Sequence, residues 1–140
     1  MEYTSVFDII GPVMVGPSSS HTAGALEISR YGRKLFGIQP QSVEITLYNS
    51  FAKTYKGHGT DVALVAGILD FSADDLRIPQ AIEIATEEGI EIEFVVSIED
   101  APHPNTAKLT FRGHGKELIV TGISIGGGSF KIISEEMKNV

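Results

Sequence analysis

The spacing of apolar residues in this chain follows first a helical and then a strand period. Ala25, Ile28, Tyr31 and Leu35 recur at near-helical intervals, and Gly37 stands where a helix end favours glycine. This predicts a helix from the serine cluster at 18–20 to about Phe36. "SVEITLY", Ser42 to Tyr48, is rich in residues that suit a half-buried pleated surface and reads as a strand. "VALVAGIL", residues 62–69, is apolar on nearly every side, the mark of a buried helix, with Thr60 and Asp61 placed to cap it. Pro79 to Glu88 gives a third helix, with proline in its first turn and Gly89 at its end.

Beyond Gly89 the period falls to two. Ile90, Ile92, Phe94, Val96 and Ile98 alternate with mostly polar neighbours, and Ala107, Leu109 and Phe111 alternate with Lys108, Thr110 and Arg112. "GHGK", residues 113–116, makes a turn into "ELIVTGI", and "SIGGGSFKII" bends at its glycines into a further short strand before polar "SEEMKN". Helix, strand, helices, then several strands predict an α+β fold: one mixed β-sheet with helices packed on one face. The first two main strands are expected to be parallel through the intervening helices, with hairpins following. The 140 residues fit a single domain, 1–140, with no repeat or low-complexity tract.

Composition narrows the partners. A hydrophobic fraction of 42% and a charged fraction of 21% are ordinary for a soluble globular chain. The net charge of −7, with no basic run, argues against nucleic acid, whose binding needs clustered Lys and Arg. No apolar run reaches the length of a membrane span. The first residues carry Glu2 rather than the basic start of a signal peptide, so a cytoplasmic location is expected. There is no cysteine, hence no disulfide and no thiolate ligand for a metal.

Four polar stretches fall outside the core pattern. In "VGPSSSHTAGA", Val15 to Ala25, one hydroxyl would suffice to cap the helix, yet Ser18, Ser19, Ser20 and Thr22 surround His21. A helix start crowded with hydroxyls also suits a carboxylate or phosphate, because dipole and free amides both favour an anion. "KGHGTD", Lys56 to Asp61, flanks His58 with glycines that permit close approach of a ligand, although a surface turn accounts for it equally well. "APHPNT", Ala101 to Thr106, presents His103 between two prolines that stiffen the loop. "IGGGS", Ile125 to Ser129, is either an amide-lined anion cradle or a bend in the sheet. His114, in a tight turn, reads as structural. No P-loop or HExxH pattern is present. Residue chemistry alone supports a small-anion site with acid/base help and nothing narrower.

Taken in order, "GPSSSHT" (16–22), "SFAKTYKGHGTD" (50–61), "HPNT" (103–106) and "SIGGG" (124–128) resemble the iron–sulfur-dependent L-serine dehydratases. More narrowly, the chain is similar to the beta subunit of the two-subunit form, over about residues 3–133. The same fold family includes the allosteric substrate-binding domain of some phosphoglycerate dehydrogenases. The resemblance implies conversion of L-serine to pyruvate and ammonia with a 4Fe-4S cluster and no pyridoxal phosphate. The cluster would be held by cysteines of an alpha subunit, and this chain would complete the substrate site at the interface with it. His58, His21 and His103 are then the candidate acid/base groups, with His58 favoured as the base because its glycine neighbours permit close approach. Ser18, Ser19, Ser20 and Thr22 would hold the substrate carboxylate, with Thr60, Gly126 and Gly127 also facing substrate. Asp61 would orient a histidine or the substrate ammonium, and Asn105 would donate to the carboxylate.

Single-chain members of that family typically read "GHHTD" where residues 57–61 read "GHGTD", which fits the two-subunit type. Beta subunits usually continue into a small C-terminal ACT domain, and residues 1–140 are expected not to include it. An apolar patch near the histidines is expected as the partner surface, with self-association into a homodimer as its other use. The alternative reading is a non-catalytic serine- or anion-sensing domain; His58 and His103 favour the enzyme, since a sensor needs donors rather than acid/base groups.

Overall fold

A computed structural model describes residues 19–54 and 59–140. In chain order these form α1 (Ser19–Phe36), β1 (Ser42–Leu47), α2 (Asn49–Thr54), α3 (Thr60–Ile68), a 3-10 turn (Ile78–Gln80) running into α4 (Ala81–Glu87), then β2 (Glu91–Val96), β3 (Thr106–Gly113), β4 (Lys116–Gly126) and β5 (Ser129–Asn139). The strands make one mixed sheet of order β2-β1-β3-β4-β5. β1 and β2 are parallel, as their helical connection requires, and the other neighbours are antiparallel.

The expected α+β class and the parallel first pair are both present. Hairpins follow the parallel pair at β3–β4 and β4–β5, and the strand order, which no local pattern encodes, places β3 beside β1. Two details differ from the sequence reading. β5 runs through the polar "SEEMKN" stretch, because β4 is long enough to pair with it as far as Asn139. Leu35 is exposed while Phe36 is buried, so the core-facing stripe of α1 ends on the phenylalanine.

The core lies between α1, α3 and one face of the sheet. Val43, Ile45 and Leu47 alternate inward from β1, beside Leu109 and Phe111 of β3 and Leu118 and Val120 of β4. Phe36 stacks on Phe111 at 5.9 Å between ring centres, and Gly32 leaves the room that Phe111 occupies. The end of α1 is closed by Gly37 at φ 87 and by Lys116, whose ammonium donates to the Phe36 carbonyl and sits over its ring.

α3 lies directly against α1. Gly67 meets Leu26, Ser29 and the Arg30 amide, and Asp70 pairs with Arg30 at 3.1 Å. Ala23, Leu26, Ala63 and Ala66 share one buried cluster. The last turn of α3 thus sits over the middle of α1.

Candidate functional site

Sheet register decides which of the four polar stretches meet. The last residue of β1, Leu47, pairs with Ala107 at the start of β3, and Thr106 pairs with Ile123 near the end of β4. Ser124 pairs with Phe130, and Gly126 with Ser129, at the start of β5. The end of β1, the loop before β3 and the glycine turn therefore share one end of the sheet. α1 joins them there: His21 Nδ1 and Ser124 Oγ share a 2.9 Å hydrogen bond, and the Ser124 amide donates to the Asn105 carbonyl, also at 2.9 Å. Segments more than eighty residues apart in sequence are tied into one unit.

The helix start is fitted to this arrangement. A Cβ on Gly24 would collide with the Ser124 hydroxyl and lie 3.1 Å from the Ser129 carbonyl, so glycine is what lets α1 lie on the turn. Ser19 and Ser20 are the first residues of α1, Thr22 is buried in it, and no acidic residue stands in its first turn. A helix start of this kind presents amides that suit an anion. Ser18 lies outside the described residues.

The glycine run is a bend as well as an amide cradle. The β4–β5 register shifts between Ser124 and Gly126, and Gly126, Gly127 and Gly128 all take positive φ (94, 64 and 75). Side chains rarely adopt that region, so the run of three glycines is a backbone requirement. A cleft of about 480 Å³ opens between Gly127–Gly128 and the Ala23–Glu27 face of α1.

The loop before β3 is held by hydrogen bonds more than by its prolines. Asn49, at φ 50, donates from Nδ2 to the carbonyls of Ala101 (2.9 Å) and His103 (2.8 Å). The Thr106 hydroxyl donates to the same His103 carbonyl at 2.7 Å. The fold thus uses the main chain of His103 and leaves the residue exposed. Asn49 was not among the sequence candidates; an asparagine directly after a strand, a residue that tolerates positive φ, was the available signal.

At the start of α3 the sequence reading needs correction. Gly59, at φ 75, is the N-cap, and no side chain makes a capping bond. Thr60 is inside the helix and fully buried, and the Asp61 carboxylate accepts from the adjacent Val62 amide at 2.8 Å. Neither Thr60 Oγ1 nor Asn105 Oδ1 has a hydrogen-bond partner among the described residues, although both are buried. His58, next to Gly59, lies outside the described residues.

His114 is at the opposite end, in the β3–β4 turn, where its Nε2 bonds the Gln39 carbonyl at 2.9 Å. Its role is structural. Among the described residues no group of three or more His, Asp or Glu is placed to hold a metal ion, and the chain has no cysteine. None of the described helices is long and apolar enough to cross a membrane. At the site end three large apolar side chains face solvent: Val96 (49% exposed), Ile98 (103%) and Ile125 (59%).

Comparison with known proteins places this geometry in context. The sequence model of the family described as serine dehydratase beta chain matches residues 5–88. The chain is 59% identical over 132 residues to a probable L-serine dehydratase, beta chain, of Bacillus subtilis (strain 168), covering 94% of this chain and 60% of that one. It is 47% identical over 132 residues to the L-serine dehydratase, beta chain, of Peptoniphilus asaccharolyticus, covering 93% of this chain and 60% of that one. An L-serine dehydratase of Escherichia coli (strain K12) is 32% identical over 156 residues, covering 94% of this chain and 34% of its own length. The chain spans about three fifths of the beta chains it matches.

Proposed function

The chain belongs to the serine dehydratase beta chain family, and from that premise we propose that it is the non-cluster subunit of an L-serine dehydratase. In this reading it completes, at the interface with an alpha subunit, the site that converts L-serine to pyruvate and ammonia. The observation that carries the reading is the His21–Ser124–Asn105 linkage, which joins three of the four polar stretches at one end of the sheet. The 4Fe-4S cluster, held by the alpha subunit, supplies Lewis-acid polarisation of the substrate when bound.

This chain's own residues bind, orient and move a proton. The amides at the start of α1, with the hydroxyls of Ser18, Ser19, Ser20 and Thr22 and the amides of Gly126 and Gly127, hold the substrate carboxylate. His58 takes the Cα proton, an imidazole being near neutrality in its ordinary pKa. The Cα–H electron pair becomes the Cα–Cβ double bond, the Cβ–O bond breaks, and the departing hydroxide takes up the proton that His58 removed and leaves as water. The resulting enamine tautomerises to an imine, whose hydrolysis gives pyruvate and ammonia. His21, fixed by Ser124, orients the substrate, and the exposed His103 reaches across the interface to balance charge. Asp61 orients a histidine.

Anaerobic mixing with the cysteine-bearing partner, followed by a pyruvate assay with L-serine, tests this. Turnover is expected only in the mixture. A complex with an intact cluster that forms no pyruvate would replace the enzyme reading with a serine- or anion-sensing domain.

The apolar rim at the site end supplies the docking surface. Ile98→Asp together with Ile125→Asp is expected to weaken association with the partner by at least tenfold to a hundredfold, since burying one such side chain is worth about 1.5–3 kcal/mol. Anaerobic titration calorimetry reads the change, while the thermal melt of the isolated chain stays near wild type because both positions are exposed. If the partner binds elsewhere, the same variants disperse any homodimer and leave the heteromeric affinity intact.

A further inference from the structure

L-Serine offers a carboxylate, which needs donors, and an ammonium, which needs acceptors. The α1 amides and the glycine turn are donor groups. Across the same end of the sheet the situation reverses. Asn105 is only 8% exposed, and its side-chain oxygen Oδ1 has no donor among the described residues. Thr60, fully buried at the start of α3, has a hydroxyl oxygen in the same condition. Buried acceptors are rarely left without a donor, and each one costs stability until it finds one.

Asn105 is also held in place independently of that oxygen. Its main-chain carbonyl accepts from the Ser124 amide, and the loop on either side is tied down by Asn49 and Thr106. The side-chain oxygen is therefore not needed to shape the loop. Expecting Asn105 to donate to the carboxylate does not account for an oxygen that lacks a donor.

Resting on the dehydratase reading above, we infer that Asn105 Oδ1 is the acceptor for the substrate ammonium, with Thr60 Oγ1 supporting the same side of the site. The oxygen has already lost its water, so an ammonium N–H reaching it gains a charge-assisted bond with little further desolvation. A neutral acceptor also has a chemical advantage over a carboxylate. It leaves the positive charge on nitrogen largely uncompensated, and that charge acidifies the neighbouring Cα–H. The site then selects 2-amino acids over 2-hydroxy acids of the same shape.

The test compares ligands with and without the amine in the complex of this chain and its cluster-bearing partner. D-Serine and glycerate, which differ in amine against hydroxyl, serve as competitive probes whose dissociation constants are also measured directly. Asn105→Leu, of similar size but without the acceptor, is expected to weaken D-serine and raise the L-serine KM roughly tenfold to a hundredfold, the worth of a hydrogen bond to a charged group. Glycerate binding should change less than about threefold, within the scatter of neutral contacts. Asn105→Asp restores an acceptor but not a donor and should recover amine binding, a rescue that a purely structural role for the amide would not give.

A second readout needs no partner. Thr60→Val removes an unsatisfied oxygen at constant shape and should leave the melting temperature of the isolated chain unchanged or higher, while weakening D-serine in the complex. Equal loss of D-serine and glycerate in Asn105→Leu, or failure of Asn105→Asp to recover, overturns the inference. Failure of the dehydratase reading shows separately, as a wild-type complex that binds D-serine and forms no pyruvate from L-serine.

Discussion

Gly67→Ala is expected to destabilise the chain by about 3 kcal/mol, the upper range for forcing an extra methyl into a packed contact. At an exposed helix position the same change would stabilise by close to 1 kcal/mol, through propensity and a stiffer unfolded chain. Here the sign reverses. The added Cβ would collide with the Ser29 hydroxyl and the Leu26 carbonyl and come to 2.8 Å from the Arg30 amide. Two of these are main-chain atoms of α1, so no rotamer change relieves them, and α3 must move away from α1. A fall in melting temperature of roughly 10 °C, read by circular dichroism, is the corresponding shift for a domain of this size. Gly32→Ala provides the contrast, because its Cβ would meet only the Phe111 ring, a side chain able to tilt. If Gly67→Ala melts at or above wild type, the helices are not held by this close approach.

Much of this arrangement could be read from the sequence, and what could not has a physical reason. α1 ended where Gly37 stood, and the apolar run at 62–69 was a buried helix, because capping glycine and all-round hydrophobicity are local signals. The insertion of β3 between β1 and β4 is a pairing choice between segments sixty residues apart, and no local pattern encodes it. Ile98 continued the alternation of β2, yet the strand stops at Val96 because the Ser97 amide makes its last bond to the Leu47 carbonyl, where β1 ends. Thr60 looked like a cap by residue type, but Gly59 in left-handed geometry starts the helix and carries Thr60 inside it. At the site, His21, Thr22, Asn105, Gly126 and Gly127 were named from the sequence, and the structure gathers their segments at one end. Asn49 escaped notice because its work is done on main-chain carbonyls of a loop fifty residues later. Contacts of that reach belong to tertiary structure.

His58→Asn is expected to lower kcat for L-serine by two to four orders of magnitude in the assembled enzyme, the usual contribution of a positioned general base. Asparagine keeps the size and hydrogen-bonding capacity of the side chain but cannot accept a proton at neutral pH. Substrate binding should therefore persist, with KM changed only a few-fold, because the proposed site assigns the carboxylate and ammonium to other groups. His58 precedes Gly59, which starts α3 at φ 75. His21 differs in kind: its Nδ1 is engaged with Ser124, so His21→Asn should loosen orientation and alter KM and kcat together. Exchange of the Cα hydrogen with solvent deuterium separates the two roles. A missing base abolishes exchange even with substrate bound, whereas a loosened substrate still exchanges, more slowly. Full turnover and full exchange in His58→Asn, with exchange lost instead in His103→Asn, would move the base to the loop before β3. Because the His103 carbonyl and not its ring is what the fold engages, that replacement leaves the loop's hydrogen bonds in place and tests the ring alone.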